Sequence, residues 1–203
     1  MMIKIKDSLV ELEIKKARSD RRFLLAVAFF LAVIMLFSAL NTYVLFNVYV
    51  FGPSMENTLQ TGDVLIVNRY KKVERGDIVV ISGAKEGSDD WLIKRVIAVE
   101  GETVEIKDGY VFINDRILHS EPYVKEMKVT FVPEGQPSKI EVGESEIFYL
   151  GDNRLNSSDS RNYGTCKESQ IVGVVEDWSI KIKRPLGKVY KFLDSARAFL
   201  RKN

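Results

Sequence analysis

Histidine and cysteine are almost missing from this sequence of 203 residues, which has only His119 and Cys166. A single cysteine excludes an internal disulfide, and the two residues together exclude a zinc site built from several cysteine and histidine ligands. We therefore expect no metal and no cofactor. Histidine is also the usual base for a catalytic serine. Because His119 stands in the polar stretch NDRILHSEPY with no acid nearby to orient it, we expect a solvated loop residue there.

The sequence also lacks a large excess of either positive or negative charge. Lysine and arginine number 30 and aspartate and glutamate 28, so the net charge of +2 gives no reason to expect a nucleic-acid partner. The apolar content of 46% is enough to bury a core, and the length suits one compact domain plus an anchor.

A long stretch without charge runs from Phe23 to Met55. Its first 18 residues, Phe23 to Leu40, also lack proline, and as a helix they would span about 27 Å, close to the thickness of a bilayer core. A buried core helix is the alternative, but such helices rarely lack a polar face over five turns. A cleaved signal peptide is a second alternative. The apolar core of a signal peptide, however, has only about 7–15 residues and begins nearer the N-terminus than Phe23. We predict an uncleaved transmembrane anchor over residues 23–42.

The direction of this anchor follows from the basic residues on either side of it. Five of them stand just before it: Lys15, Lys16, Arg18, Arg21 and Arg22. No basic residue follows it until Arg69, which predicts a cytoplasmic segment over residues 1–22 and a chain that is extracytoplasmic beyond the anchor. A single-pass protein of the cytoplasmic (inner) membrane, with phospholipid as a partner, is the expectation.

From residue 43 the pattern changes to short runs rich in valine, isoleucine and tyrosine. These are DVLIVNRY, GDIVVIS, WLIKRVIAVE, ETVEI, GYVFIND, EIFYL and IVGVVEDWSIKI, separated by glycine, aspartate and asparagine pairs. Such runs predict a mostly β, antiparallel domain over residues 43–186. Tyr123 to Glu144, which contains two prolines, is expected to form a mobile loop or an extended hairpin.

Helical spacing returns at the two ends, near residues 5–18 and after Pro185. The segment from Ser179 to Asn203 has eight basic side chains and one acidic one. Apolar residues recur there at helical spacing: Val189, Phe192, Leu193, Ala196, Phe199 and Leu200. We predict a short basic amphipathic helix over residues 187–203 that binds anionic lipid. A helix docked on its own β domain and a frayed basic tail both remain open.

Among the basic residues, Lys94 in WLIKRVIAVE has an unusual position. Strand alternation gives it Leu92, Val96 and Ala98 as neighbours on an apolar face, whereas Arg95 points the other way. Burial there would lower its pKa and let the neutral amine act as a base. The alternative is that Lys94 belongs to an edge strand and extends its ammonium group to water.

Four motifs, taken in order, resemble those of the bacterial type I signal peptidases, membrane-anchored endopeptidases with a serine and lysine dyad (peptidase family S26). They are GPSMENTL from Gly52, ERGDIVVI from Glu74, WLIKRVIAVEGETVEI from Trp91, and GDNRLNSSDSR from Gly151. Each motif is short, but four in this order and spacing are specific. The resemblance implies a β-barrel-like catalytic domain and a signal peptidase I activity, EC 3.4.21.89.

The resemblance also implies a role for each matching residue. Ser54 is the nucleophile and Lys94 its general base. Ser157 orients the lysine amine, and Asp159 and Arg161 form a structural ion pair. Ser160 belongs to the same group of supporting residues. Without the serine and lysine context, GDNRLNSSDSR would be interpreted as a polar surface loop of Asx turns.

Two positions depart from the pattern of some family members. Gly52 stands where some have a serine that serves as second oxyanion donor, so another donor is needed. Asn57 replaces the usual proline, and we expect it to loosen the turn after the nucleophile.

The implied substrates are secretory preproteins whose signal peptides end in small residues of A-x-A type. Ser54 follows the apolar segment by 14 residues, which predicts a cleft near the outer membrane surface. Six apolar residues close to the dyad in the sequence are candidates for its pockets: Val48, Val50, Met55, Leu59, Leu92 and Ile93. Core packing is the alternative for each of them.

Three other functions compete with this interpretation. Self-cleaving repressors of the DNA-damage response share a serine and lysine pair, but residues 1–22 are too short for their DNA-binding domain. A signal-peptidase-like protease dedicated to one pilus or conjugation substrate is harder to exclude. A non-catalytic membrane-tethered domain could bind extended peptides by strand addition, although such a module has no need of a buried lysine beside a serine.

Overall fold

The structure is a computed structural model, and it describes residues 2–82, 91–118, 122–124 and 130–202. It divides into two compact units, Met1–Val44 and Leu45–Asn203. His119, and residues 125–129 of the predicted loop, lie outside the described residues.

The first unit is a single helix, α1, which spans Met2–Val44. The charged segment and the apolar segment are continuous in it because no proline or glycine interrupts them. Its stretch Asp20–Ala39 is long and apolar enough to cross a membrane, and none of that stretch is buried within the protein. The apolar helix is therefore consistent with a membrane-anchored protein.

The second unit is built on two antiparallel sheets, which confirms the predicted mostly β domain. The strands of the larger sheet are β1 (Leu45–Tyr49), β2 (Val64–Asn68), β3 (Ile78–Ser82), β4 (Trp91–Val99), β9 (Glu146–Leu150), β10 (Cys166–Lys167) and β11 (Ile171–Val175). They lie in the order β1-β2-β11-β3-β4-β9-β10. The smaller sheet contains β5 (Thr103–Lys107), β6 (Tyr110–Ile113), β7 (Arg116–Ile117) and β8 (Lys139–Glu141), in the order β7-β6-β5-β8. β8 lies within the segment that was predicted to be a loop or hairpin.

Strand β4 lies in the interior of the larger sheet, between β3 and β9. Its Val96 belongs to a buried cluster, and the partly buried Leu92 packs against that cluster, as strand alternation predicts. A register shift between Val96 and Ala98 then interrupts the alternation, since an extra residue in one strand of a pair turns the following side chains to the other face. Ala98 consequently packs with Ile97 in a different cluster, and the prediction that it shares the face of Lys94 is wrong.

Two helices complete the unit, α2 (Ser160–Tyr163) and α3 (Asp177–Lys202), with a 3-10 turn at Glu168–Gln170. Helix α3 begins at Asp177, whereas the sequence predicted a start after Gly187 and a strand through Ile182. The residues WSIKI alternate as in a strand, but their spacing also fits a helix. In that helix Ser179 and Lys183 are four residues apart and lie on one face, against β2 and the residue before it. Pro185 lies inside α3.

Candidate active site

Ser54 lies in a short turned segment that follows β1. The Glu56 backbone N–H donates to the Pro53 carbonyl oxygen at 3.0 Å, and the Leu59 N–H donates to that of Met55 at 2.8 Å. Met55 and Leu59 are almost completely buried in the core cluster below the turn. Packing of these side chains therefore fixes the segment that carries the half-buried Ser54.

Asn57 adopts a backbone conformation that the usual proline could not adopt. Its φ is 90°, in the left-handed region that asparagine tolerates better than most residues. Proline is restricted to a φ near −65°, so it could not adopt this backbone. Asparagine therefore suits the backbone of this turn, whereas proline does not.

Lys94 is buried in the interior of the sheet, with only 3% of its surface exposed. It pairs with Val79 of β3, and its strand is not an edge strand, so its side chain does not extend to water. Its Nζ donates to Ser54 Oγ at 2.7 Å and to the Ile93 carbonyl oxygen at 3.2 Å. The structure thus brings together the two residues that sequence reasoning singled out first.

Burial lowers the pKa of Lys94 from 10.5 to about 8. The charges of Asp159 and Asp152 act in the opposite direction, but desolvation of the ammonium outweighs them. At pH 7 about one molecule in ten would then hold a neutral amine, compared with about one in 2,500 for an ordinary lysine. A neutral amine within hydrogen-bond distance of a serine hydroxyl is able to accept its proton.

The GDNRLNSSDSR loop lies against the Ser54 turn. The Asn153 backbone N–H donates to the Ser54 carbonyl oxygen at 3.0 Å, and Asn153 Nδ2 donates to the Pro53 carbonyl oxygen at 3.1 Å. Gly151 allows the close approach, since a Cβ there would lie 2.5 Å from the Ser54 carbonyl oxygen. Asn153 was not among the predicted site residues.

Ser157 lies against Gly151 on the same loop. Its hydroxyl is buried and has no hydrogen-bond partner among the described residues, so the expected hydrogen bond to Lys94 is not formed. An unpaired buried hydroxyl costs free energy. The side chain therefore has an unused donor and acceptor beside the turn that carries Ser54.

Asp159 and Arg161 form the ion pair that the family resemblance implies. Arg161 Nε donates to Asp159 Oδ1 at 2.8 Å and Arg161 Nη2 donates to Oδ2 at 2.9 Å, with both side chains buried. Asp159 also accepts the Gly151 backbone N–H at 3.0 Å. Ser160 Oγ accepts the Tyr149 backbone N–H at 2.9 Å. These contacts hold the loop against strand β9.

A second buried ion pair, between Arg95 and Asp152, was missed in the sequence. Arg95 donates to both Asp152 oxygens, at 2.8 and 2.7 Å, and Thr58 Oγ1 donates to the same carboxylate. The Arg95 guanidinium also lies 3.9 Å from the ring centroid of Tyr123. The sequence did contain a signal for this pair. Arg95 lies next to Lys94 and on the opposite face of a buried strand, and a buried basic side chain needs an acidic partner.

A cleft of about 420 Å³ opens beside Ser54 and Lys94. It is lined by Tyr49, Val50, Phe51, Gly52, Ser54, Met55, Trp91, Leu92, Ile93 and Lys94. Four of the six predicted pocket residues, Val50, Met55, Leu92 and Ile93, are among them. Val48 and Leu59 are not in this lining, and they belong to a core cluster that also contains Val50 and Met55.

The backbone N–H of Ser54 is an unused hydrogen-bond donor among the described residues. The Gly52 N–H donates to Thr61 Oγ1 at 3.1 Å, whereas the Ser54 N–H has no hydrogen-bond partner within the described part of the chain. Gly52 has a φ of 86°, which favours glycine. Within the same described ranges, no group of three or more histidine, cysteine, aspartate or glutamate side chains is placed to hold a metal ion.

Comparisons with a protein family and with individual proteins both identify signal peptidases as similar to this chain. The family described as "Signal peptidase, peptidase S26" matches residues 22–178. Signal peptidase I of Bacillus caldolyticus is 35% identical over 80% of this chain and 91% of its own length, and signal peptidase I of Bacillus amyloliquefaciens is 41% identical over 64% and 71%.

Among solved structures, a signal peptidase I from Enterococcus faecalis V583 aligns with a TM-score of 0.44 and 32% identity, over 52% of this chain and 98% of that one. The family match covers most of the chain, and the B. caldolyticus relative is matched over nearly its whole length. The chain therefore belongs to the signal peptidase family, peptidase S26, and within it to the bacterial type I signal peptidases.

Proposed function

We propose that this chain cleaves N-terminal signal peptides from secreted precursor proteins, with Ser54 as nucleophile and neutral Lys94 as general base. The observation that carries the proposal is the 2.7 Å contact between Lys94 Nζ and Ser54 Oγ, made by a buried lysine in a member of a signal peptidase family. The lowered pKa of that lysine supports the same assignment. The reaction class is that of a serine endopeptidase, signal peptidase I.

The proposed reaction has two halves. Ser54 Oγ gives its proton to Lys94 Nζ and attacks the scissile carbonyl carbon, and the Lys94 ammonium then protonates the departing amine nitrogen. This leaves the signal peptide as an ester of Ser54. Lys94 next takes a proton from water, and the resulting hydroxide attacks the ester carbon. The Lys94 ammonium then returns the proton to Ser54 Oγ as the ester bond breaks and the signal peptide is released as a carboxylic acid. In both halves the Ser54 backbone N–H donates to the oxyanion, a role for which it has no competing partner among the described residues.

The supporting residues act by position. We propose that Ser157 rotates to hold the Lys94 amine when substrate fills the cleft, since its hydroxyl is otherwise unpaired among the described residues. Asp159, Arg161 and Ser160 keep the loop against β9. Gly52 provides the left-handed backbone that leads into the turn carrying Ser54.

The lining of the cleft includes several apolar side chains. Val50, Met55, Leu92 and Ile93 give it apolar walls, and Ser54 and Lys94 are also part of its lining. We propose that signal peptides of A-x-A type bind there in an extended conformation. The same apolar walls would disfavour charged residues at the two recognised positions.

The proposed topology follows from the apolar helix and its flanking charges. Residues 1–22 are cytoplasmic, residues 23–42 cross the cytoplasmic membrane once, and the peptidase domain of residues 43–186 is extracytoplasmic. The basic residues before the apolar stretch and their absence after it until Arg69 support this direction. Cleavage would then take place at the outer face of the membrane.

The test is cleavage of a preprotein by the detergent-solubilised full chain, with the new N-terminus identified by sequencing. We expect the wild type to release mature protein and Ser54→Ala to release none. Lys94→Arg should be equally inactive because arginine does not lose its proton, whereas His119→Ala should keep full activity. Binding of the preprotein without cleavage by the wild type would favour the peptide-binding module instead. Cleavage of one pilus or conjugation precursor, but of no general preprotein, would favour the dedicated protease.

A further inference from the structure

Helix α3 presents three different faces along its length, and one of them packs on the β domain. Residues spaced by three or four positions make its contacts. Ser179 Oγ lies 3.4 Å from the Ile66 carbonyl oxygen, and Lys183 Nζ lies 3.3 Å from Asp63 Oδ2. Further along, Gly187 lies against Gly62, and the rings of Tyr190 and Tyr49 meet edge to face at 6.3 Å. This face is therefore already occupied.

A second face carries large apolar side chains that stay exposed among the described residues. Its members are Trp178, Ile182, Val189, Phe192 and Leu193, and their exposed fractions run from 40% to 72%. At 100° per residue they fall on one stripe, which we call the apolar stripe. A row of five large apolar side chains in water is unfavourable, so this stripe indicates a surface that contacts another apolar phase.

The third face is basic and adjoins the apolar stripe. Lys181, Arg184, Lys188 and Lys191 are all exposed there, and none of the four has an ion-pair partner among the described residues. Between Trp178 and Leu193 no acidic residue occurs in the sequence. An apolar stripe beside a basic face is the composition of a helix that lies in the headgroup region of an anionic membrane.

We infer that the apolar stripe of α3 inserts into the surface of an anionic phospholipid membrane while its basic face binds the lipid headgroups. The chain also carries a helix with a stretch long and apolar enough to cross a membrane, so a bilayer is the apolar phase available to it. The charge of the basic face selects anionic over zwitterionic lipid.

This contact would act on the cleft through the packed face of the same helix. Lys183 donates to the Thr58 carbonyl oxygen, in the segment that carries Ser54. Tyr190 contacts Tyr49, which lines the cleft. Because α3 is packed on both elements, its position at the membrane surface fixes the depth and orientation of the cleft relative to that surface.

The sequence offers a direct reporter, since Trp91 and Trp178 are its only tryptophans. With Trp91→Phe, the full chain has a single tryptophan, which lies on the apolar stripe and not in α1. The chain is reconstituted in phosphatidylcholine vesicles with or without phosphatidylglycerol, containing phosphatidylcholine brominated in its acyl chains. We expect strong quenching of Trp178 with phosphatidylglycerol, and loss of quenching as salt rises. A control reporter, Phe131→Trp in a chain with both natural tryptophans replaced by phenylalanine, should stay unquenched.

A matched pair of charge variants tests the basic face. Lys181→Gln with Lys188→Gln and Lys191→Gln should lower the ratio of inserted to free helix roughly 100-fold, since each lysine contributes about fivefold. Lys107→Gln with Arg116→Gln and Lys139→Gln removes the same charge from the smaller sheet and should leave quenching unchanged. Equal quenching of Trp178 with and without phosphatidylglycerol, or equal effects of the two triple variants, would overturn the inference. So would burial of Trp178 that depends on protein concentration, which would indicate a second copy. Cleavage is not the readout, so these outcomes leave the proposed function untouched.

Discussion

Asn153 donates its backbone N–H to the carbonyl oxygen of Ser54 at 3.0 Å. The loop that carries Ser157 and Asp159 is in this way attached to the turn that carries the proposed nucleophile. The Asn153 side chain adds a second link at 3.1 Å, to the Pro53 carbonyl oxygen. Asn153 therefore contributes two of the contacts that set the relative position of the two segments.

Asn153→Ala removes only the side-chain link, because the backbone link does not depend on residue type. A hydrogen bond of this kind contributes about 1 kcal/mol, so we expect kcat/KM for a preprotein to fall by roughly fivefold or more. The thermal unfolding temperature should fall by only about 2 to 4 °C. Unchanged kcat/KM would show that Asn153 does not position Ser54.

Ser157→Ala should lower activity without lowering the stability of the fold. The Ser157 hydroxyl is buried without a partner among the described residues, so its removal should leave the free energy of unfolding unchanged or raise it by about 1 kcal/mol. Cleavage should nevertheless fall severely, because the Lys94 amine loses the group that orients it in the substrate complex. Urea unfolding and kcat measured on the same preparation check both expectations. A fully active variant would remove Ser157 from the mechanism.

Asn57→Pro restores the usual family residue but should harm this chain. Proline cannot adopt the φ of 90° at this position, so we expect a loss of about 3 kcal/mol in the free energy of unfolding and a loss of activity. Asn57→Gly is the matched control and should retain both, because glycine adopts positive φ readily. A proline variant as stable and active as the glycine variant would contradict the geometry of this turn.

Several parts of this arrangement could be predicted from the sequence because they depend on local patterns. Alternation in β4 placed Lys94 on an apolar face with Leu92 and Val96, and Leu92 packs against the buried cluster that contains Val96. The motif spacing predicted which residues meet, and the contact between Lys94 and Ser54 follows it.

Other parts depend on contacts between distant segments. The register shift that moves Ala98 to another cluster is set by pairing with β9. The early start of α3 depends on contacts of Ser179 and Lys183 with β2 and the segment before it. The pairing of Arg95 with Asp152 joins residues far apart in the chain, so strand periodicity indicated that Arg95 needs an acidic partner but did not identify it.

Lys94→Met should stabilise the fold while abolishing activity. The pKa of Lys94 is about 8 in the folded chain and 10.5 as its ordinary value, so the folded state binds this proton less tightly than the unfolded state. The buried ammonium therefore destabilises the fold fully below pH 8, and this cost disappears as pH rises from 8 to 10.5.

The free energy of unfolding of Lys94→Met at pH 7 should exceed that of the wild type by roughly 2 to 3 kcal/mol. The difference should shrink as pH rises toward the ordinary lysine pKa, and urea unfolding at a series of pH values measures it. Lys107→Met, at an exposed lysine, is the control and should stay within about 0.5 kcal/mol of the wild type. A destabilised Lys94→Met protein at pH 7 would contradict the cost assigned to the buried charge.

The most direct test of the central claim is the pH dependence of kcat/KM for cleavage of a preprotein by the wild-type chain. If neutral Lys94 takes the proton of Ser54, kcat/KM should rise about tenfold per pH unit below the lysine pKa and level off above about pH 8. A profile that is already level at about pH 5, or that rises with a carboxylate-like pKa near roughly 4, would contradict the account.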